Sequence, residues 1–251
     1  MSANKTIIKS LDVLQLFYSH KELSLQEMVA LSGMPKTSLH RLLGSLEEMG
    51  FLQRNESGLY ELGLIFLRLG HLVAERLDIR NVALPIMRRV RDELEEAVNL
   101  VVRDGDDVIY IEKVDTRQPV RVYTRIGRRA PLYGGACPRA LLAFLTDDER
   151  SRYIDQVDLI KVASGTITDR NQLKTITEEA REKGYTVSHS ELEDYSSAVG
   201  APIFDYTGGV VASLSIAGLT TRFSSDRLPL LIEKVQEAAT EISEKLGWVQ
   251  K

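Results

Sequence analysis

The chain has 251 residues, of which 43% are apolar and 27% are charged, a composition typical of a globular protein with a buried core, and its length favours two domains. The formal net charge of −4 excludes a strong overall attraction to nucleic acid or to an anionic membrane, so binding to either requires a local patch. The single cysteine, Cys137, excludes an internal disulfide framework and a zinc site built from several thiolates.

Two helices are predicted at the amino terminus. Apolar residues spaced about three apart predict the first helix over residues 6–18. Ser24 and Glu27 have the spacing of a capping box, in which their side chains satisfy backbone amides left unpaired at a helix start. The second helix therefore runs from there to about Ser32, after which Gly33 permits a turn.

A third helix is predicted from Pro35 to Met49, with the proline at the first helical position, where its missing N–H costs no hydrogen bond. One stripe of this helix is apolar and faces a core; it consists of Leu39, Leu42, Leu43 and Leu46. The other side carries hydrogen-bond donors and cations, namely Lys36, Thr37, Ser38, His40, Arg41 and Ser45. Two short extended segments follow, residues 51–55 and 59–63, which predict a β-hairpin with a tight turn.

This order of elements is typical of a winged helix-turn-helix, in which the helix after the turn enters the DNA major groove. The candidate DNA-binding residues on this interpretation are Ser24, Lys36, Thr37, Ser38, His40, Arg41, Ser45, Arg54 and Asn55. Arg41 could read guanine with two hydrogen bonds, whereas Lys36 suits a phosphate. Residues 1–62 contain six cations and seven carboxylates, so this region is not basic overall, and a protein-interaction adaptor that uses the same surface is the alternative.

A connector helix is predicted over residues 62–77. Its apolar residues recur at helical spacing and are Leu62, Ile65, Phe66, Leu69, Leu72 and Val73. This stripe either packs onto its own domain or pairs two subunits. A dimer would place two recognition helices about one DNA turn apart, as a pseudo-palindromic site requires.

The rest of the chain predicts an α+β domain with a largely antiparallel sheet. Helices are predicted over residues 80–97, 151–160, 173–183 and 226–246, and strands over residues 98–102, 108–114, 119–124, 186–190, 201–205 and 210–218. We therefore divide the chain into a winged helix-turn-helix domain (1–62), a connector helix (63–79) and a carboxyl-terminal domain (80–251).

An enzyme is not expected from this sequence. The sharpest enzymatic hypothesis is a hydrolase with Cys137 as nucleophile, His189 as base and Glu191 or Asp194 as the residue that orients the base. A lone cysteine followed by proline is more often a small core residue, and the four histidines show no metal-ligand spacing. No phosphate-binding loop is found either, so we expect no catalytic residue, no metal and no cofactor.

The amino terminus lacks a secretory apolar core, and nowhere do eighteen apolar residues run together. We therefore expect a cytoplasmic protein that does not enter a membrane.

Several weak motifs occur in one order that resembles the IclR family of bacterial transcriptional regulators. The first is LSLQEMVALSGMPKTSLHRLLGSLEEMGFLQRNESGLYELG, at residues 23–63. The others are Pro131-Leu132-Tyr133, Ala140-Leu141-Leu142-Ala143, Gly184-Tyr185 and Ala201-Pro202-Ile203-Phe204-Asp205. The resemblance extends from about residue 6 to residue 246. It implies a GAF-like effector-binding domain, a homodimer or tetramer, a double-stranded DNA operator and a ligand-controlled regulator, which we expect to be a repressor.

The resemblance also implies an effector pocket. Its candidate residues here are Tyr133, Gly135, Ala136, Cys137, Ser188, His189 and Ala198. Family members often carry an acidic pair after Gly-Tyr and a cysteine three residues before Ala-Pro, whereas this chain has Ser188, His189 and Ala198. A hydroxyl and an imidazole can both donate to a carboxylate, so we expect a small organic acid as effector.

Overall fold

The computed structural model describes residues 5–74 and 78–250, without the side chains of residues 70, 71, 73 and 74. The chain divides into two compact units, with the boundary between residues 76 and 77. No helix among the residues described is both long enough and apolar enough to cross a bilayer.

The amino-terminal unit contains helices packed beside a two-stranded hairpin. Its helices are α1 (Lys5–Gln15, continued by a 3₁₀ turn at Leu16–Tyr18), α2 (Leu25–Ser32), α3 (Lys36–Glu48) and α4 (Ile65–Ala74), and its strands are β1 (Leu52–Arg54) and β2 (Tyr60–Leu62). The two strands pair antiparallel, with Gln53 opposite Glu61. The order of elements is the one predicted for a winged helix-turn-helix.

Local signals set the ends of the first helices. Ser24 caps α2, because its hydroxyl accepts the Glu27 N–H at 3.3 Å and the Glu27 carboxylate accepts the Ser24 N–H at 2.7 Å. Gly33 ends α2 at φ +65°, in the left-handed region that favours glycine. The capping box and the turn were both predicted from the sequence.

Two predicted helix starts are shifted. Pro35 is the residue before α3 and not its first helical residue, because its ψ of 135° is extended, and its carbonyl accepts the N–H of Leu39 at 3.0 Å. Helix α4 begins at Ile65 instead of residue 62, because Leu62 pairs with Leu52 in the hairpin. The predicted extension of this helix over residues 75–77 lies outside the residues described.

The carboxyl-terminal unit is built on a six-stranded antiparallel sheet with strand order β5-β4-β3-β8-β7-β6. Its strands are β3 (Ala97–Asp104), β4 (Asp107–Val114), β5 (Arg129–Pro131), β6 (Thr186–His189), β7 (Ser196–Phe204) and β8 (Val210–Leu219). Its helices are α5 (Ile79–Leu94), α6 (Ala136–Ala143), α7 (Asp147–Gln156), α8 (Arg170–Lys183) and α9 (Leu228–Lys245).

Both faces of the sheet are covered by helices. Leu100 of β3 packs with residues of α5 and α9 in one core, whereas its neighbour Val101 packs with residues of α6, α7 and α8 in another. This change of side between adjacent residues follows from the two-residue period of a strand. The result is a three-layer unit; its α+β class was predicted from the sequence, and the three layers were not.

Several elements of this unit differ from prediction. Strand β5 was not predicted, and β7 begins at residue 196 instead of 201. Helix α5 ends at residue 94 instead of 97, α7 ends at residue 156 instead of 160, and α8 begins at residue 170 instead of 173.

Residues 119–124 form no strand, because no neighbouring strand pairs with them; Val120 and Tyr123 are exposed there, whereas Thr124 is buried. Helix α7 begins four residues earlier than residue 151, because Thr146 caps it by accepting the Glu149 N–H at 3.3 Å. Helix α6 was missed because all eight of its residues are buried and therefore show no amphipathic period.

Candidate functional site

The polar side of α3 is exposed, as predicted. Leu39, Leu43 and Leu46 are buried in the core of the amino-terminal unit. The donors on the opposite side are all exposed to solvent: Lys36, Thr37, Ser38, His40, Arg41 and Ser45. The second helix of the turn thus presents a continuous row of hydrogen-bond donors, which is the arrangement that a DNA groove can receive.

The two cations on this row, Lys36 and Arg41, form no ion pair within the described residues. The nearby carboxylate of Glu47 lies 3.3 Å from Arg54 instead. The positive charge of α3 is therefore available for an external anion, even though the unit as a whole is not basic. A local patch of this kind is what the net charge requires for binding to phosphates.

The remaining candidate DNA contacts have internal partners. The Arg54 guanidinium donates to the Tyr60 hydroxyl at 2.6 Å and lies 4.6 Å from the centre of its ring. Asn55 donates to Glu22 at 2.6 Å and accepts the N–H groups of Ser57 and Leu59, which closes the hairpin turn. The Ser24 hydroxyl is used in the α2 cap. These three residues shape the helix-turn-helix and hairpin in the structure.

A small cavity of about 60 Å³ lies between the start of α6 and the sheet of the carboxyl-terminal unit. Its lining consists of Asn99, Tyr110, Val122, Thr124, Arg128, Gly135, Ala136, Cys137, Ser188, Leu192, Glu193, Ser196, Ser197, Ala198, Ser215 and Ala217. Most of these side chains are small or polar. We call this space the sheet cavity.

Small residues on the sheet allow the first turn of α6 to approach it closely. A Cβ atom on Gly200 would lie 2.9 Å from the carbonyl carbon of Ala136, so only glycine fits there. Gly135 precedes the helix at φ +87°, and its N–H donates to the Glu191 carboxylate at 2.9 Å. The N–H groups of Ala136 and Cys137 stand in the first turn of α6, where a helix provides no partners.

Cys137 is a structural thiol in this structure. Its Sγ lies 3.3 Å from the Ser213 carbonyl oxygen and 3.2 Å from the Ser213 hydroxyl. Burial raises the pKa of the Cys137 thiol to about 11, so the nucleophilic thiolate is scarce at neutral pH. His189 instead hydrogen-bonds through Nδ1 to the Ser197 hydroxyl at 2.8 Å. The structure therefore does not pair Cys137 with His189, as the hydrolase hypothesis requires.

Five of the seven candidate effector residues line the sheet cavity: Gly135, Ala136, Cys137, Ser188 and Ala198. His189 does not: it is exposed, whereas its neighbour Ser188 is buried, and its Nδ1 hydrogen-bonds to the hydroxyl of Ser197, which does line the cavity. Tyr133 is also absent from the lining, since its hydroxyl is engaged by the backbone of Ile160 at 2.9 and 3.1 Å. The predicted role of Tyr133 and His189 in effector binding therefore stays a prediction that this cavity does not include.

Sequence reasoning missed other cavity residues, chiefly Asn99, Thr124, Arg128, Glu193 and Ser215. Asn99 and Ser215 face each other across the β3–β8 ladder. A signal for both existed, because each is a polar residue inside an otherwise apolar strand. Within the described parts of the chain, the buried Asn99 Oδ1 and Thr124 Oγ1 atoms lack any hydrogen-bond partner.

Among residues 5–74 and 78–250, no group of three or more His, Cys, Asp or Glu side chains is placed to hold a metal ion.

Both units match families of known proteins. Residues 71–244 match the family model described as the bacterial transcriptional regulator IclR C-terminal domain, and residues 6–56 match the IclR helix-turn-helix domain. The chain is 54% identical over 245 residues to the HTH-type transcriptional regulator KipR of Bacillus subtilis (strain 168), with 98% of each chain covered. It is 32% identical to the HTH-type transcriptional regulator KdgR of Escherichia coli (strain K12), with 97% of this chain and 93% of KdgR covered. The crystal structure of the Agobacterium tumefaciens repressor BlcR is 27% identical, covers 98% of both chains and superposes with a TM-score of 0.78.

Proposed function

Because the chain belongs to the IclR family of bacterial transcriptional regulators, which are DNA-binding proteins and not enzymes, we propose that it is a repressor controlled by a small organic acid. On this proposal the protein binds a pseudo-palindromic operator as a homodimer or a dimer of dimers. The acid occupies the sheet cavity and changes the affinity for the operator.

The exposed row of hydrogen-bond donors on α3 supports the proposed binding to DNA. Lys36, Thr37 and Ser38 stand in the first turn of the helix, where a recognition helix meets base edges and phosphates. His40 and Arg41 follow on the same side, and Arg41 has the planar fork that recognises guanine.

Exposed leucines on and beside α4 support the oligomer. Leu64 and Leu67 are 70% and 72% exposed, and they lie about 160° and 100° around the helix axis from Phe66, which packs against Phe51 with ring centres 5.4 Å apart. One side of the helix thus belongs to its own unit, and apolar surface remains on the other. A second copy of the chain would cover this surface and double the phosphate contacts of a weakly charged unit.

The chemistry of the sheet cavity supports an anionic effector. The first-turn amides of α6, at Ala136 and Cys137, favour negative charge through the helix dipole. Ser188 adds a buried hydroxyl on the floor of the cavity, opposite Ala198 in the β6–β7 ladder. His189 does not line the cavity, and we assign it no direct contact with the acid; its Nδ1 is hydrogen-bonded to the hydroxyl of Ser197, which does line the cavity.

Similarity to a known repressor supports the proposal that this protein represses transcription. BlcR, which shares the fold over 98% of both chains, is a repressor by name.

Selection of bound fragments from genomic DNA tests the proposal, since it yields the operator and the neighbouring genes together. We expect enrichment of a fragment with two half-sites about 10 base pairs apart, and its release by one member of a panel of small carboxylic acids. Absence of any enriched fragment would instead favour a protein-interaction adaptor. Release by neutral compounds alone would refute the organic acid.

A further inference from the structure

Two charged residues from different segments meet at the wall of the sheet cavity. The Arg128 guanidinium donates from Nη1 to the Glu193 carboxylate at 2.6 Å, and both residues line the cavity. Arg128 is fixed by the sheet, because its carbonyl accepts the N–H of Tyr110 in β4 at 2.9 Å. Glu193 belongs to the loop of residues 190–195 that joins β6 to β7. The ion pair therefore ties this loop to the edge of the cavity.

The cavity also contains polar atoms that need a partner. Asn99 and Thr124 are 4% and 8% exposed, and neither the Oδ1 atom of the first nor the Oγ1 atom of the second is hydrogen-bonded within the described chain. Buried polar groups in native proteins nearly always have a partner, because leaving one unpaired costs its desolvation energy. Both residues line the sheet cavity, so a bound molecule could satisfy them there.

The present cavity is too small for such a molecule. Its volume of about 60 Å³ holds only a few water molecules, whereas sites for small organic ligands are several times larger. Entry of an organic acid therefore requires one wall to move.

The Glu193 side chain, at the tip of a strained loop, is the part of the wall suited to move. Ser190 and Tyr195 stand at its two ends with φ values of 51° and 61°, in the left-handed region that is unfavourable for both residues. The loop is held in this form by local bonds, with Ser190 N–H donating to the Ser196 carbonyl at 2.7 Å and Tyr195 N–H to the Ser190 hydroxyl at 3.1 Å. Backbone strain of this kind persists only where surrounding contacts enforce it, and the ion pair to Arg128 is one such contact.

We propose that Arg128 is the residue that binds the carboxylate of the effector, and that Glu193 occupies its guanidinium as an internal substitute until the ligand carboxylate displaces it. This inference rests on the proposed function, in which the sheet cavity is the effector site. The ligand class is a short carboxylic acid with a second polar group that hydrogen-bonds to Asn99 and Thr124. Displacement of the Glu193 side chain from Arg128 enlarges the cavity at this wall, while the buried ion pair of Glu191 with Arg139 keeps the rest of the loop in place.

Acetate, the smallest carboxylate that resembles the end of a glutamate side chain, provides a direct test. Full-length Glu193→Ala leaves the Arg128 guanidinium without its carboxylate. We expect acetate, titrated through the millimolar range against chloride at equal ionic strength, to raise the melting temperature of this variant by about 3 to 6 °C at about ten times its Kd. The parent protein should need at least about tenfold more acetate for the same shift, because Glu193 competes.

Two control variants make this test specific. The double variant Arg128→Ala, Glu193→Ala should show no acetate-specific shift, because the binding group is gone. Asp104→Ala removes a carboxylate from the neighbouring Arg129, which does not line the cavity, and should not respond to acetate either. Should Glu193→Ala fail to fold, Glu193→Gln keeps the side-chain volume and should show the same acetate preference.

Three results would overturn the inference. The first is an equal acetate effect in Glu193→Ala and in the double variant. The second is the lack of an acetate effect in either Glu193 variant. The third is an effect of acetamide, which has no charge, equal to that of acetate. Operator binding by the same proteins is measured alongside. Operator binding without an acetate effect would refute the role of Arg128 and retain the proposed function. An acetate effect without operator binding would refute the proposed function and retain Arg128 as a carboxylate-binding residue.

Discussion

The Glu191 carboxylate forms a buried ion pair with the Arg139 guanidinium, and the two side chains are 6% and 3% exposed. The same carboxylate accepts the N–H of Gly135, and Arg139 also donates to the Val187 carbonyl at 2.5 Å. Glu191 therefore ties the start of α6 to β6, the two elements that carry most of the predicted effector residues. Glu191 does not itself line the sheet cavity; it holds in position the elements that do.

Removal of this carboxylate should destabilise the protein. Glu191→Ala leaves the buried charge of Arg139 uncompensated, so we expect a loss of about 3 to 5 kcal/mol in the free energy of unfolding, measured with urea. Glu191→Gln should cost less, because its amide oxygen can still accept the Gly135 N–H. Glu96→Ala is a matched control, since Glu96 is also buried and pairs with Arg222 and Arg227.

The two glutamate variants should differ in their effect on the regulator. Both should lower stability, but only Glu191→Ala should alter the response of operator binding to the effector. Equal effector responses in the two variants would show that Glu191 stabilises the fold without positioning the cavity.

Arg41 and Lys36 should make different kinds of DNA contact. If Arg41 reads a base, Arg41→Ala should cost about 1 to 3 kcal/mol on the cognate site and relax the preference at one position. Lys36→Ala should weaken binding to all sequences alike and reduce the salt slope by about one. Fluorescence anisotropy at several salt concentrations distinguishes these outcomes.

Arg54→Ala is the control for this pair, because Arg54 contacts Glu47 and Tyr60 inside its own unit. It should lower thermal stability and leave sequence preference unchanged. The assignment of α3 as the recognition helix is refuted if Arg41→Ala and Lys36→Ala both bind like the parent protein.

The sequence predicted those parts of the molecule whose pattern is local. Helix α3 has buried leucines and exposed donors on opposite sides, so its period was visible. Helix α6 is buried all round and has no such period. Residues 119–124 alternate like a strand, but strand formation also needs a neighbouring strand, and alternation alone does not supply one.

The sheet cavity could be predicted only in part, because it combines residues distant in sequence. Asn99 and Ser215 become neighbours through the register of β3 and β8, which neither strand encodes by itself. Arg128 and Glu193 meet through two loops, for which no periodic pattern exists. The position of His189 was predictable, since alternation along β6 puts Ser188 and His189 on opposite faces.

The exposed leucines of α4 should hold two subunits together. Leu64→Glu with Leu67→Glu places charges in the proposed interface, and light scattering should then show a smaller particle than the parent dimer or tetramer. Lys21→Glu, an exposed residue outside this helix, is the control and should leave the oligomer intact. A parent protein that is monomeric and binds its operator at full strength would contradict this prediction.

Cys137 should make stability fall at alkaline pH. The pKa of its thiol is raised from 9.0 to about 11 by burial, so the unfolded chain loses this proton before the folded protein does. The stability is unaffected below pH 9 and is lost as the pH rises toward 11, by about 2 to 3 kcal/mol in total. Cys137→Ala should lack this component, and parallel unfolding curves for the two proteins across this pH window would show that the thiol is not buried.

Ser188 and His189 should have opposite importance for the effector response, although they are adjacent in sequence. Ser188→Leu fills the floor of the sheet cavity, so the variant should bind the operator and no longer release it when the effector is added. His189→Ala removes an exposed side chain whose partner is Ser197, and its release curve should match that of the parent protein. Titration of the operator complex with effector measures both variants in one assay. If His189→Ala loses the response while Ser188→Leu keeps it, the effector binds on the other side of β6 and the sheet cavity is not its site.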